Sequence, residues 1–85
     1  MSIKTIQLHD MVALTEDTQA QRFPSGEKIL LRRGQVGTVV EELEQGKAFE
    51  IEFAQIDGQA YAMLPVTAEK LMQLYYEPIE LATAS

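Results

Sequence analysis

"AFEIEFAQIDGQAYAMLPV", residues 48–66, carries the plainest structural pattern in the chain. Phe49, Ile51 and Phe53 alternate with Glu50 and Glu52. A period of two sets the apolar residues on one face of a strand and the acids on the other. In a helix the same two glutamates would break the apolar stripe. Asp57-Gly58 then stands between two strand-like runs, which is a strong hairpin signal. "QAYAMLPV" reads as the next strand. Pro65 donates no backbone hydrogen bond, so this reading sets it at that strand's end.

"QVGTVVEEL" (35–43) precedes the first of these strands, and "EQGK" (44–47) breaks the two apart. The middle of the chain is thus a three-stranded meander. Gly34 is expected to open its strand with a turn, and Gly37 to mark a bend or a close backbone approach where a Cβ would clash. Val36, Val39 and Val40 are read as core residues of that strand. "LHDMVALTE" (8–16) supplies a first strand. "TAEKLMQLYY" (67–76) reads as one helical turn with Thr67 as N-cap and Glu69 in the first turn. "LYYEPIEL" (74–81) is then a last short edge strand, with a longer helix ended by Pro78 as the alternative. "DTQAQRFPSGEKIL" (17–30), with Pro24, Ser25 and Gly26 in a row, is read as a long mobile loop. Residues 82–85 are expected to fray. The expected fold is therefore mainly β: a small barrel of about five antiparallel strands with one helical turn near the C-terminus.

The size and composition agree with one small domain. The chain has 85 residues, 46% of them apolar. A chain of that length buries only roughly 60–65% of its unfolded surface. No apolar run reaches the roughly 18–20 residues of a membrane span, and "MSIKTIQLHD" lacks the apolar core of a secretory signal. Cysteine is absent, which removes disulfides and thiolate chemistry and suits a reducing compartment. The cytoplasm is the expected location. The net charge is −6, which disfavours binding to a phosphate backbone. The charge is uneven, however. Arg22, Lys28, Arg32 and Arg33 lie in one segment with only Glu27 among them, while from Glu41 onward nine acids face two lysines. Such asymmetry can steer a partner, although a solvated mixed surface has the same composition.

Candidate chemistry is sparse. His9 is the single histidine. His9 and Asp10, as neighbours in a strand, would point to opposite faces and not act as an acid–base pair. One histidine and no cysteine make a poor zinc set. Glu41, Glu42 and Glu44 are read as a solvated acidic hairpin, since no calcium-loop spacing is present. Gly34 and Gly37 lead into a strand and lack the lysine and serine of a phosphate loop. The expectation is a protein that is not an enzyme and carries no catalytic residue, cofactor or metal.

"LHDMVALTED", "LRRGQVGTVVEEL", "GKAFEIEFAQIDGQAYAML" and "TAEKLMQL" together resemble the bacterial domain-of-unknown-function family 4926 over most of residues 8 to 74. The segment around Arg22 to Ile29 departs from that pattern by looking longer. The pattern is also similar to SH3-like barrels of the electron-transport accessory group: a small component of photosystem I, the variable chain of ferredoxin–thioredoxin reductase and the β-chain of nitrile hydratase. The resemblance implies an SH3-like barrel that acts on a protein partner and brings no chemistry of its own, as an accessory or antitoxin-like subunit. Candidate partner-binding residues are Arg22, Phe23, Lys28, Arg32 and Arg33 in the basic segment and Tyr75, Tyr76, Ile79 and Leu81 in the tail. Arginine and tyrosine are enriched at binding hot spots, and core packing is the other reading for the aromatics. "GQVGTVV" is also similar to the KOW motif, which makes nucleic-acid binding an alternative, with Phe23 stacking on a base. Self-association through an open sheet edge, burying Tyr75 and Tyr76 in a homodimer, is the third class.

Overall fold

A computed structural model describes residues 5–82, and the fold is mainly β. Seven strands form two antiparallel sheets: β1 (Met11–Leu14), β2 (Thr18–Gln21), β3 (Lys28–Leu31), β4 (Val36–Leu43), β5 (Ala48–Ala54), β6 (Ala60–Thr67) and β7 (Leu71–Gln73). The larger sheet has the order β6-β5-β4-β1-β7, and β2 and β3 pair only with each other. Of the tail expected at 82–85, only Ala82 lies within the described residues.

The β4-β5-β6 meander is present with the register that the alternation demands. Phe49, Ile51 and Phe53 are fully buried, while Glu50 and Glu52 face the other way and stay half-exposed. The β5–β6 hairpin closes where Asp57-Gly58 predicted. Gly58 has φ 92°, and Gln55 and Gln59 pair across the turn. Val12, Leu14, Val39, Ala62, Val66 and Leu71 complete the core, and Leu31 is added to it from β3.

β4 holds the fold together by serving two partners. Its first half pairs with β1 (Val12↔Gly37) and most of its length with β5 (Val39↔Ile51), and the register slips between Val39 and Glu41. An extra residue there bends the strand, so the bulge falls at Val40 and not at Gly37. Strand alternation corrects one expectation, because Val36 and Val40 stand an odd number of residues from the inward Val39 and so face away from the core. Only Val39 of the three valines is buried; Val40 is half-exposed and Val36 exposed. Gly37 is instead a close approach. A Cβ there would lie 2.5 Å from Ile51 Cγ2 and 3.0 Å from the Glu52 carbonyl oxygen. Gly34, with φ 92°, turns the chain into β4 as expected.

Four further expectations change. Residues 17–30 are not an irregular loop: Thr18–Gln21 and Lys28–Leu31 pair in register as a hairpin. Its tip is tied by Arg22 N–H to the Glu27 carbonyl at 2.8 Å. Pro65 sits inside β6, paired with Glu50, and not at its end. A proline is tolerated there because β6 is an edge strand with a partner on one side only. His9 lies not in a strand but with Leu8 in a turn before β1, at φ 74°, and Asp10 N–H closes that turn on the Gln7 carbonyl at 3.1 Å. The last strand is Leu71–Gln73, directly after a single 3-10 turn over Ala68–Lys70, so 74–81 is neither strand nor helix. Thr67 precedes that turn without a side-chain capping bond.

Between β4 and β5 the chain reverses through Glu44, Gln45 and Gly46, all with positive φ (49°, 59° and 88°). Two consecutive non-glycine residues in the left-handed region are costly.

Candidate functional site

The β2–β3 hairpin folds back toward the edge strand β6, and a groove of about 910 Å³ opens between them. Ala20, Arg22, Phe23, Lys28, Leu30 and Met63 are among its lining residues. The hairpin is hung there by one main-chain bond, Phe23 N–H to the Tyr61 carbonyl oxygen at 3.0 Å. Strand geometry explains which side chains are left open. Ile29 and Leu31 turn inward, so the intervening Leu30 projects outward. On β6, Ala62 is buried and Met63 therefore exposed. Phe23, at the hairpin tip, is 43% exposed, Leu30 55% and Met63 41%.

The charged side chains that line the groove are Arg22 and Lys28, with Glu27 paired to Arg22 and Glu52 opposite Met63 on β5. The Arg22 guanidinium lies 5.1 Å from the centre of the Tyr61 ring, a cation–π stacking distance. Its Nε is 3.7 Å from the Glu27 carboxylate, at exposed positions. Tyr61 is itself held: Gln35 Nε2 donates to its hydroxyl at 2.9 Å, and the Gln35 amide oxygen accepts from Arg32 N–H at 3.2 Å. The turn before β4, the start of β6 and the hairpin tip are thereby linked through one glutamine and one tyrosine.

The candidate residues divide into three places. Arg22, Phe23 and Lys28 come together in the groove. Arg32 and Arg33 sit on the adjacent turn, where Arg33 N–H binds the Asp17 carboxylate at 2.8 Å and Gly34 N–H the Leu14 carbonyl at 2.7 Å. Both arginines are exposed, but they do not line the groove. Tyr75 and Tyr76 follow β7, at the opposite end of the strand order from β6, and are exposed, as are Ile79 and Leu81. The structure thus sets neither tyrosine in the core. Met63, Leu30, Tyr61 and Gln35 belong to the site but escape sequence reading. Met63 and Leu30 carried one usable signal, their position out of step with the inward face of their strands.

The other candidates have structural employment. The Asp10 carboxylate accepts from Gln7 N–H at 2.9 Å and from Gln73 Nε2 at 3.0 Å, which ties the N-terminal segment to β7. His9 N–H binds the Val39 carbonyl at 2.8 Å. A second groove of about 520 Å³, lined by Ile6, Glu42, Gln45 and Phe49 among others, opens near the Glu44–Gly46 turn. Among the described residues no cluster of three metal-ligating side chains occurs, and no helix is long and apolar enough to cross a membrane.

Residues 8–73, well over half of the chain, match the model of a family described as Domain of unknown function (DUF4926). No curated protein and no solved structure matches the chain.

Proposed function

The chain belongs to the DUF4926 family, and from that premise we propose that it is a protein-binding module, without catalysis of its own, that serves as an accessory or antitoxin-like subunit in the cytoplasm. The groove between the β2–β3 hairpin and β6 is its docking surface. One observation carries the reading: Phe23, Leu30 and Met63, three large apolar side chains, are exposed around a single groove whose charged lining residues are Arg22 and Lys28. Scattered exposed apolar residues need no explanation, but a concentrated patch with a polar rim marks an interaction site. Its chemistry suits an extended segment with apolar anchors and carboxylates. The strand order, with β7 returning beside β1 and a hairpin inserted between β1 and β4, supports an SH3-like build.

The test compares the tagged wild-type chain with Phe23→Ala and Leu30→Ala variants in nuclease-treated lysate. The expected result is one stoichiometric protein captured by the wild type and lost with either variant. Truncating a hot-spot residue weakens binding by at least about 2 kcal/mol, roughly thirtyfold. Capture of RNA before nuclease and of no protein after it, with steep salt dependence, would replace this reading by the KOW-like one.

A further inference from the structure

The segment after β7, "YYEPIELA" (75–82), is exposed at every residue and belongs to no strand. It lies beyond the family match, which ends at residue 73. Its composition is the complement of the groove. Tyr76, Ile79 and Leu81 offer large apolar side chains, 92%, 88% and 86% exposed, and Glu77 and Glu80 offer the only charges. In extended conformation Ile79 and Leu81 share one face while Glu80 points to the other. The groove offers Phe23, Leu30 and Met63 together with Arg22 and Lys28. Pro78 limits main-chain pairing, so side-chain anchoring is the mode that fits.

We propose that the groove takes the C-terminal segment of a second copy of this chain, forming a reciprocal homodimer. The proposal rests on the groove being the docking surface assigned above. The chain's own tail does not occupy it: the tail leaves from β7, and β6 stands at the far end of the sheet. Reciprocal exchange closes on two copies, because each contributes one groove and one tail. It also gives the free protein a use for both exposed patches at once. A partner with an acidic, apolar segment would then bind by displacing the neighbour's tail, so partner binding and dimerisation would be mutually exclusive.

Three chains decide it by sedimentation equilibrium: the wild type, a chain stopped after Leu74, and Lys28→Glu. The cut leaves β7 intact, including the Leu74 N–H bond to the Met11 carbonyl, and circular dichroism checks that each variant is folded. The expected result is a wild-type mass rising to two copies with concentration, and a single-copy mass for the stopped chain. A fluorescent peptide of residues 75–82 should bind the stopped chain, and bind the Lys28→Glu form about fivefold to tenfold more weakly. A single-copy wild-type mass up to millimolar concentration, or a dimer that survives the cut, would overturn the proposal. The stopped chain separates this from the preceding reading: it keeps its groove and should capture the protein partner at least as well as the wild type. If it dimerises no longer yet captures nothing, the dimer stands and the accessory-subunit reading falls.

Discussion

Gln35 donates to the Tyr61 hydroxyl across 2.9 Å, although the two are 26 residues apart and β4, which Gln35 precedes, does not pair with β6. The bond joins the turn entering β4 to the strand that forms one wall of the groove. Tyr61→Phe keeps the ring beneath Arg22 and removes only the acceptor. It should cost about 0.5–1.5 kcal/mol in chemical denaturation. In a double-mutant cycle with Gln35→Ala the effects should fall short of additive. Full additivity would mean that the bond contributes nothing to stability.

Gly37 has no room for a side chain. An added Cβ meets Ile51 Cγ2 at 2.5 Å and the Glu52 carbonyl oxygen at 3.0 Å, and the second of these is backbone. Gly37→Ala should therefore destabilise by about 1–3 kcal/mol, which for a domain of this size lowers Tm by roughly 4–8 °C per kcal/mol. Gly34→Ala meets no atom within 4 Å but keeps φ 92°, so its cost is conformational, about 1–2 kcal/mol. An unchanged Tm for Gly37→Ala would show that β4 and β5 can separate at little cost.

The Glu44–Gly46 turn offers a gain. Gln45 holds φ 59° between two other left-handed residues and is exposed. Gln45→Gly removes the Cβ that disfavours this conformation, and should stabilise by about 0.5–1 kcal/mol after the larger entropy of the unfolded glycine is counted. A rise in the denaturation midpoint with unchanged m-value is the expected reading.

Phe53 is completely buried beneath the β5–β6 hairpin. Phe53→Ala should cost about 3–5 kcal/mol. The total stability of a chain this size is about 4–13 kcal/mol, so the variant should be marginal at 37 °C. A Tm within a few degrees of wild type would place the centre of the core elsewhere.

The basic turn should act differently from the groove. Arg32 and Arg33 are exposed and lie outside it. Replacing both with Ala should slow association with an acidic partner and reduce its salt dependence, with less than about tenfold effect on affinity. Leu30→Ala should speed dissociation instead. Stopped-flow kinetics at two ionic strengths separates the two effects.

The parts legible in the sequence were those where one short stretch carries the whole signal. Phe49, Ile51 and Phe53 announce β5 because one face is buried and the other is not. Asp57-Gly58 announces its hairpin because the turn needs a positive φ. The β2–β3 hairpin was hidden because burial alternates along "TQAQ" and "KILL" but the residue types do not follow it: Leu30 is apolar yet exposed, and Thr18 is polar yet half-buried. Pro65 was set at a strand end because edge status is a property of the sheet, not of the residue. The groove was half legible: Arg22, Phe23 and Lys28 are close in sequence, but Met63 and Tyr61 join them only through the path of β6.

The β2–β3 hairpin pairs with neither half of the main sheet, and only Leu31 among its strand residues is buried in the core. Beyond Phe23, whose N–H holds the hairpin to Tyr61, the tip residues 24–27 can thus lengthen, shorten or be exchanged with little penalty to the remainder of the molecule. This makes it a natural graft point. Homologues that keep the Gly37 contact and the Phe49–Phe53 core can diverge freely in this one finger, and a sequence transplanted there should change what is recognised while leaving the scaffold's melting behaviour in place.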